Sequence, residues 1–215
     1  MIFHICKFLT KVIFSLFYRL KIFGVKKNFL QGSAIIASNH NSFLDPIALQ
    51  LSIFGCLHHL ARSTLFNNNF TAWLWKQWAC HPIHRGGGNS AAFKIACKLL
   101  DEGKKLVIYP EGSRSPDGQL QEGKIGIGMI VMKAHVPVIP AYIGGSYDAL
   151  NRNMKFPKIW RTITTVFGTP LYFDDLFNNE TLSNKDAYKI ATNRIMEKIT
   201  ELKAWYEAGC HGEVP

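Results

Sequence analysis

Acidic side chains are almost missing from the first hundred residues of this 215-residue sequence. Residues 1–100 contain a single one, Asp45, against 11 lysines and arginines, whereas residues 101–215 contain 14 of each sign. The net charge of +10 is therefore carried entirely by the N-terminal part. Such a local excess favours a polyanionic partner, either a nucleic acid or an anionic membrane surface.

Signatures of nucleic-acid binding are missing as well. The sequence has no helix-turn-helix, zinc-finger or RNP motif, and its first basic residues are spaced along an apolar segment instead of a polar arm. We therefore expect an anionic membrane surface and no nucleic acid as partner. The content of 47% apolar and 19% charged residues excludes disorder and coiled coil, and the length fits one domain.

Metal-ligand spacing is lacking too. The five cysteines are scattered without a CxxC pair, and the eight histidines do not complete a ligand set. His58-His59 and Cys80-His81 are adjacent pairs that have no partners at zinc spacing. The sequence therefore predicts no metal site. It predicts free thiols in a reducing compartment in preference to a disulfide framework.

No hydrophobic run is long enough to cross a membrane. In residues 1–23 the longest uncharged stretch before Arg19 is Val12 to Tyr18, whereas a span needs about 20 apolar residues. A signal peptide is also disfavoured, because no small-residue cleavage site follows the apolar region.

The same segment has a helical, one-sided pattern. Apolar residues recur every three or four positions, and the cations lie on the opposite face of a helical wheel. The apolar stripe comprises Ile2, Ile5, Leu9, Val12, Leu16, Leu20 and Phe23, and the cations are Lys7, Lys11, Arg19 and Lys21, followed by Lys26 and Lys27. Residues 1–27 are therefore predicted to be an amphipathic helix that anchors a monotopic protein to the cytoplasmic face of a membrane. The alternative is a helix that packs on the protein's own core.

The remaining residues, 28–215, read as one domain in which strands and helices alternate. Strand patterns cover residues 34–37, 106–109, 136–140 and 161–167, and helical patterns begin at 89–90, cover 127–134 and cover 186–206. This alternation predicts an α/β fold with a mostly parallel central sheet flanked by helices.

Two polar clusters follow predicted strands, where ligands bind in open α/β sheets. The first contains His40, a natural general base near neutral pH, and Asp45 five residues later. A turn can fold the Asp45 carboxylate back onto the imidazole and fix its tautomer. The alternative is that Asp45, which precedes Pro46, only caps a helix.

The second cluster is the segment Tyr109–Ser115. Its exposed backbone amides beside Arg114 suit a phosphate group, although the following Ser-Pro-Asp-Gly is also typical of a surface turn. Arg85, on the glycine-rich stretch 84–88, offers another cation. Ser113 is a poor nucleophile candidate, because no GxSxG elbow is present.

In order and spacing, these clusters resemble the lysophospholipid acyltransferase family over about residues 30–170. The segment from Asn39-His40 to Asp45 is similar to the family's NHxxxxD block. Three further blocks match in the same order: an arginine block at 83–85, a phosphate block at 109–115 and a Val-Pro-Ile-Val-Pro block at 136–140.

The resemblance implies a role for each of these side chains. His40 would deprotonate the acceptor hydroxyl while Asp45 orients it. The substrate-binding residues would be Arg85, Arg62, Glu111, Gly112, Ser113 and Arg114, which hold the acceptor's glycerol phosphate. The chain departs from the family pattern at Arg62, where a lysine is usual, and at His84, where an aspartate is usual.

The implied reaction moves an acyl group from acyl-CoA or acyl carrier protein to the sn-2 hydroxyl of 1-acylglycerol-3-phosphate, which gives phosphatidic acid. A thioester is already activated, so we expect neither a cofactor nor a covalent enzyme intermediate. Two alternatives remain: an acyltransferase for another lysolipid, such as lysophosphatidylglycerol or a lyso-ornithine lipid, and a non-catalytic membrane-binding scaffold.

Overall fold

The alternating strands form one seven-stranded sheet with helices on both faces. The computed structural model describes residues 2–25, 32–83, 89–177 and 181–215. The strands are β1 (Tyr18–Phe23), β2 (Ala34–Ser38), β3 (Leu57–Arg62), β4 (Cys80–Ile83), β5 (Lys105–Ile108), β6 (Val138–Gly144) and β7 (Arg161–Phe167). Their order across the sheet is β1-β7-β6-β2-β5-β3-β4, and only β6 and β7 are antiparallel neighbours. The predicted α/β fold with a mostly parallel sheet is confirmed.

Helices connect most of these strands. They are α1 (Ile2–Phe17), α2 (Asp45–Ser52), α3 (Asn69–Gln77), α4 (Asn89–Asp101), α5 (Gly126–Ala134), α6 (Ser146–Leu150), α7 (Asp174–Phe177) and α8 (Asn184–Glu207). Helices α4, α5 and α8 cover one face of the sheet, whereas α1 and α2 lie on the other.

The central strand β2 shows why the sheet is buried on both sides. All five of its residues are buried, with Ile35 and Ala37 packed in the core on the α5 and α8 side and Ile36 in the core on the α2 side. Successive side chains of a strand point to opposite faces, so a strand covered on both faces must be apolar throughout.

The predicted helix over residues 1–27 is wrong in its second part. Helix α1 ends at Phe17, and Tyr18–Phe23 form the edge strand β1, which pairs in parallel with β7. Here the tertiary hydrogen bonds to β7 and the burial of Tyr18 in the core outweigh the helical periodicity. Lys26 and Lys27, the last cations of the predicted helix, lie outside the described part of the chain.

Helix α1 leaves most of its apolar surface uncovered. Phe14 is its one buried residue, whereas the predicted stripe positions from Ile2 to Leu16 are all exposed, with Leu16 at 57% and Leu9 at 53%. Lys7, on the polar side, donates to the carbonyls of Ile53 and Gly55 and so fixes the helix to the loop after α2. Among the helices in the described ranges, none is long and apolar enough to cross a membrane.

Several chain segments meet at one edge of the sheet, where β2, β5 and β6 end; we call it the carboxyl edge. Strands β1 and β7 run in the opposite direction and begin there, because Gly144 at the end of β6 pairs with Thr164 and Tyr18 pairs with Arg161. The carboxyl edge therefore collects the loops after β2 and β5, the loop before β7 and the end of α1.

Candidate active site

A histidine and a buried carboxylate face each other in the loop between β2 and α2. His40 Nδ1 lies 2.8 Å from Asp45 Oδ2, and Asp45 is fully buried. The same oxygen accepts the backbone N–H groups of Asn41 and Ser42, both at 2.7 Å. Asp45 is the first residue of α2 and its bonds go back to the loop, so the structure shows the predicted pairing with His40 and not a helix cap.

This pairing decides which imidazole nitrogen can act as a base. An ionised carboxylate can only accept, so His40 Nδ1 carries the hydrogen and donates a hydrogen bond to Asp45 Oδ2. The other ring nitrogen, Nε2, is then left with its lone pair available, and the side chain of His40 is 19% exposed. The imidazole also stacks on the ring of Tyr109 with centroids 4.0 Å apart.

The His40 loop is held in place from three sides. The Asn39 side chain donates to the carbonyl of Ile143 at 3.0 Å and accepts its N–H at 2.7 Å, which continues the pairing of β2 with β6 through a side chain. Ser115 donates its N–H to the carbonyl of His40 at 2.7 Å. Ser42 Oγ donates to the carbonyl of Leu150 at 2.6 Å. The position of His40 is therefore fixed by the fold itself.

Glu111 is also a buried neighbour of His40. Its Oε1 accepts the backbone N–H of His40 at 3.1 Å, and its Oε2 is buried without a partner among the described residues. Burial raises the pKa of Glu111 to about 7, although backbone N–H groups of His40 and Gln121 oppose this shift. Glu111 thus supports the His40 loop through one oxygen, while the other has no hydrogen-bond partner among the described residues.

Three arginines, Arg62, Arg114 and Arg152, lie close together beside the His40–Asp45 pair. The Arg114 guanidinium stacks on the Phe43 ring at 3.5 Å from its centroid, and Arg152 donates to the carbonyl of Arg114 at 3.4 Å. Burial, followed by the positive charges of Arg62 and Arg152, lowers the pKa of Arg114. In the described ranges none of the three has an ion pair with a carboxylate. Uncompensated cations in one place suit an anionic ligand.

Gly112 turns the backbone between Glu111 and Arg114. Its φ is +70°, a left-handed conformation that favours glycine, and a Cβ built there would come within 3.0 Å of Lys124 Cδ. Ser113, the next residue, is exposed. Lys124 therefore lies directly over the turn and adds another cation to this side of the site.

A pocket of about 1230 Å³ opens next to the arginines. Its charged lining comprises Arg114, Arg152, Lys124 and Glu111, next to Ser113. Its apolar lining includes Phe93, Ile108, Ile127 and Ile130 from α4, β5 and α5. A cavity lined by both cations and apolar side chains matches an amphiphile that has an anionic head.

The structure brings together most of the residues that the sequence analysis selected. His40, Asp45, Glu111, Gly112, Ser113 and Arg114 share one site, and Arg62 lies near enough to affect Arg114. Arg85 lies outside the described residues. Sequence reasoning missed Arg152, which follows α6 and belongs to none of the four blocks; no local signal marks it.

Comparisons with known proteins find relatives over most of the chain. Residues 21–144 match the family model described as Acyltransferase. The chain is 26% identical over 200 residues to a 1-acyl-sn-glycerol-3-phosphate acyltransferase of Bacillus subtilis, a match that covers 92% of this chain and 95% of that relative. It is 30% identical over 135 residues to a chloroplastic 1-acyl-sn-glycerol-3-phosphate acyltransferase of Arabidopsis thaliana, covering 60% of this chain and 37% of that relative.

A solved structure shares the fold. The crystal structure of the 1-acyl-sn-glycerophosphate acyltransferase PlsC from Thermotoga maritima superposes with a TM-score of 0.67 at 21% sequence identity. The superposition covers 92% of this chain and 79% of that one.

Proposed function

Because the chain belongs to the acyltransferase family, we propose that it moves a fatty acyl group from an acyl thioester to the sn-2 hydroxyl of 1-acylglycerol-3-phosphate, which gives phosphatidic acid. The observation that carries the proposal is a free imidazole nitrogen of His40 beside three arginines without ion pairs among the described residues. The names of the relatives support the same acceptor.

The chemical step is a direct transfer. His40 Nε2 takes the proton of the acceptor hydroxyl as its oxygen attacks the thioester carbonyl carbon. The buried Asp45 carboxylate stabilises the imidazolium that forms. The tetrahedral intermediate then loses the C–S bond, and the leaving thiolate receives the proton from the imidazolium. The step needs no metal and no cofactor, since the thioester carbonyl is already activated.

The acceptor is held by its phosphate. Arg114 and Arg152 line the pocket and can form charge-assisted hydrogen bonds to the phosphate oxygens, with Arg62 and Lys124 adding to the positive potential. Arg85 is proposed to contact the phosphate as well, and this rests only on the similarity of residues 83–85 to the arginine block of the family. The N–H of Gly112 donates to the carbonyl of Tyr109 and closes the turn, so Ser113 is the residue of this turn that can offer a backbone N–H group to the phosphate. The free Oε2 of Glu111 can accept a glycerol hydroxyl.

The enzyme is proposed to work at the cytoplasmic face of a membrane. The exposed apolar residues of α1, such as Leu9 and Leu16, have no partner among the described residues and suit the interface of a bilayer that contains the lysolipid. The acyl donor is proposed to be acyl-CoA or acyl carrier protein. Both donors carry the acyl group as a thioester, so the same attack by the acceptor hydroxyl applies to either donor.

A product assay with the purified protein tests the proposal. The protein is offered 1-acylglycerol-3-phosphate, lysophosphatidylglycerol, a lyso-ornithine lipid and a monoacylglycerol, each with acyl-CoA or acyl carrier protein, and products are identified by mass spectrometry. We expect phosphatidic acid to form fastest, and His40→Ala to abolish it without loss of thermal stability. Faster acylation of another lysolipid would overturn the acceptor. No acylation of any acceptor by wild-type protein would indicate a non-catalytic scaffold.

A further inference from the structure

The loop between α6 and β7 is rich in cations and exposed aromatic residues. Residues 151–160 contain three cations, of which Arg152 lines the pocket, and no acidic side chain. Phe156 is 73% exposed and Trp160 is 72% exposed, and the nearby Lys155 and Lys158 are exposed as well. We refer to residues 155–160 as the aromatic loop. Large exposed aromatic side chains alternating with cations are uncommon on a surface that faces only water.

The aromatic loop is held in a fixed conformation. Trp160 has φ +62°, a left-handed conformation that bulky L residues rarely adopt. It is maintained by the N–H of Trp160, which donates to the carbonyl of Phe17 at 2.7 Å, and by the N–H of Lys158, which donates to the carbonyl of Ala149 at 2.7 Å. The fold thus accepts an unfavourable backbone conformation at Trp160 while leaving the indole ring uncovered. Strain of this kind suggests a functional constraint.

The loop also connects two parts of the proposed function. At one end, Trp160 is bonded to Phe17, the last residue of α1, whose apolar surface is exposed. At the other end, the chain continues from Arg152, which lines the pocket. Because β1 and β7 begin at the carboxyl edge, the aromatic loop, the end of α1 and the pocket lie on the same edge of the sheet.

We propose that the aromatic loop is a second membrane contact, in which Phe156 and Trp160 enter the interface of an anionic bilayer while Lys155 and Lys158 face the lipid head groups. Aromatic rings favour the interface between head groups and acyl chains, and lysines are attracted by the negative surface potential. Together with α1, the loop turns the pocket towards the bilayer. The inference rests on the proposed function for its lipid acceptor, but the contact itself can be measured without turnover.

A bilayer is favoured over a protein or nucleic-acid partner by continuity with α1. Helix α1 exposes Leu9, Ile13 and Leu16, and such an apolar face does not suit a nucleic acid. The aromatic loop extends this apolar surface and adds cations at its margin. A second copy of the chain carries the same positive charges on this surface, so two such surfaces would repel each other.

The test is sedimentation of the full chain with vesicles of phosphatidylcholine, with or without phosphatidylglycerol. The first variant combines Phe156→Ser with Trp160→Asn, because asparagine tolerates a left-handed backbone. The second is Lys155→Gln with Lys158→Gln, which leaves the apolar contacts in place. We expect the first variant to weaken partitioning into both kinds of vesicle by about tenfold or more. The second should weaken it by about tenfold on the anionic vesicles only.

Matched controls separate the loop from general effects of exposed residues. Tyr172→Ser removes another exposed aromatic ring, next to the Leu171–Val138 bridge at the opposite edge of the sheet. Lys185→Gln with Lys189→Gln removes two exposed lysines from α8. Both controls should bind vesicles as the wild type does. Thermal denaturation confirms that each variant is folded; the double lysine variant changes only exposed side chains and keeps the test valid if the aromatic variant unfolds.

The outcomes are distinguishable from a failure of the proposed function. Loop variants that bind vesicles as tightly as the controls would overturn the inference. A loop variant that binds vesicles normally but loses self-association in the absence of lipid would also overturn it, in favour of a second copy. Turnover of a short-chain, water-soluble acceptor should be unchanged in the loop variants. If wild-type protein acylates no acceptor, the proposed function fails while the vesicle result still decides the membrane contact.

Discussion

Replacing Asp45 with asparagine gives the most direct test of how the base works. Asp45 Oδ2 accepts three N–H groups, from His40 Nδ1 and from the backbone of Asn41 and Ser42, and its Oδ1 is buried without a partner in the described structure. An asparagine must place its single oxygen at the Oδ2 position to serve the same donors. Its NH2 group then occupies the unpartnered Oδ1 position.

The magnitude follows from these contacts. A buried NH2 group without an acceptor costs about 1–3 kcal/mol, which predicts a folded variant with reduced stability. In the Asp45→Asn variant, the imidazolium that forms in the transition state faces a neutral amide oxygen. In the wild type it faces the Asp45 carboxylate at 2.8 Å. A loss of about 2–4 kcal/mol is reasonable for a charge-assisted bond in a buried site and corresponds to a decrease in kcat of about 30- to 1000-fold.

The assay is the initial rate of acyl transfer to a water-soluble acceptor, together with thermal denaturation of each variant. We expect kcat to fall in the order wild type, Asp45→Asn, His40→Ala, because the second substitution removes the base itself and general-base catalysis contributes about 10²- to 10⁴-fold. Asp117→Asn is a matched control: Asp117 is a carboxylate of the next turn after Arg114, bonded to Ser115 and Gln119 and not to His40.

Two results would contradict the reasoning. An Asp45→Asn variant with wild-type kcat would mean that the carboxylate only organises the loop. A His40→Ala variant with near-normal turnover of lysophosphatidic acid would mean that His40 is not the base.

Three further predictions follow from other contacts. Arg114→Ala should raise the KM for lysophosphatidic acid by about 10- to 100-fold and leave that for monoacylglycerol unchanged, since one charge-assisted phosphate contact is lost; an equal rise for both acceptors would refute phosphate binding. Folding raises the pKa of Glu111 to about 7 and so favours its protonated form, which means that its contribution to stability is lost as pH rises from about 4.5 through 7. Glu111→Gln should therefore gain in Tm relative to wild type between pH 5 and pH 8, and a constant Tm difference would contradict the shift. Substituting Ile5, Leu9 and Leu16 by serine should release the protein from anionic vesicles without unfolding it, because all three are exposed; undiminished sedimentation would exclude α1 as an anchor.

The structure also shows why α1 must be tested by substitution and not by deletion. Removing residues 1–27 would take away strand β1 and with it the pairing of residues 18–23 with β7. It would also remove Phe14 and Tyr18 from the core. A truncated protein would then fail to bind vesicles simply because its sheet is damaged, whereas serine substitutions on the exposed face leave these contacts intact.

The sequence alone determined the features that depend on neighbouring residues. Strand β2 is readable because a short apolar run, bounded by polar residues, is what a strand buried on both faces requires. The same holds for α4, whose apolar positions follow a 3.6-residue period and end before Gly103. His40 and Asp45 are five residues apart, so a single turn can bring them together as the structure shows, although the sequence left open that Asp45 caps a helix.

The tertiary structure decided what distant segments contribute. Residues 18–23 continue the helical pattern of α1, but the unpaired edge of β7 captures them as a strand. Strand β3 was not predicted because it carries His58 and His59, which are not typical of a buried strand. Burial lowers the pKa of His59 to about 3, so its imidazole stays neutral in the core. Arg152 follows β6 and α6, whereas Arg114 follows β5, and the two meet because β5 and β6 both flank β2 and end at the carboxyl edge. Such contacts arise from the packing of whole strands and helices, and no window of neighbouring residues contains them.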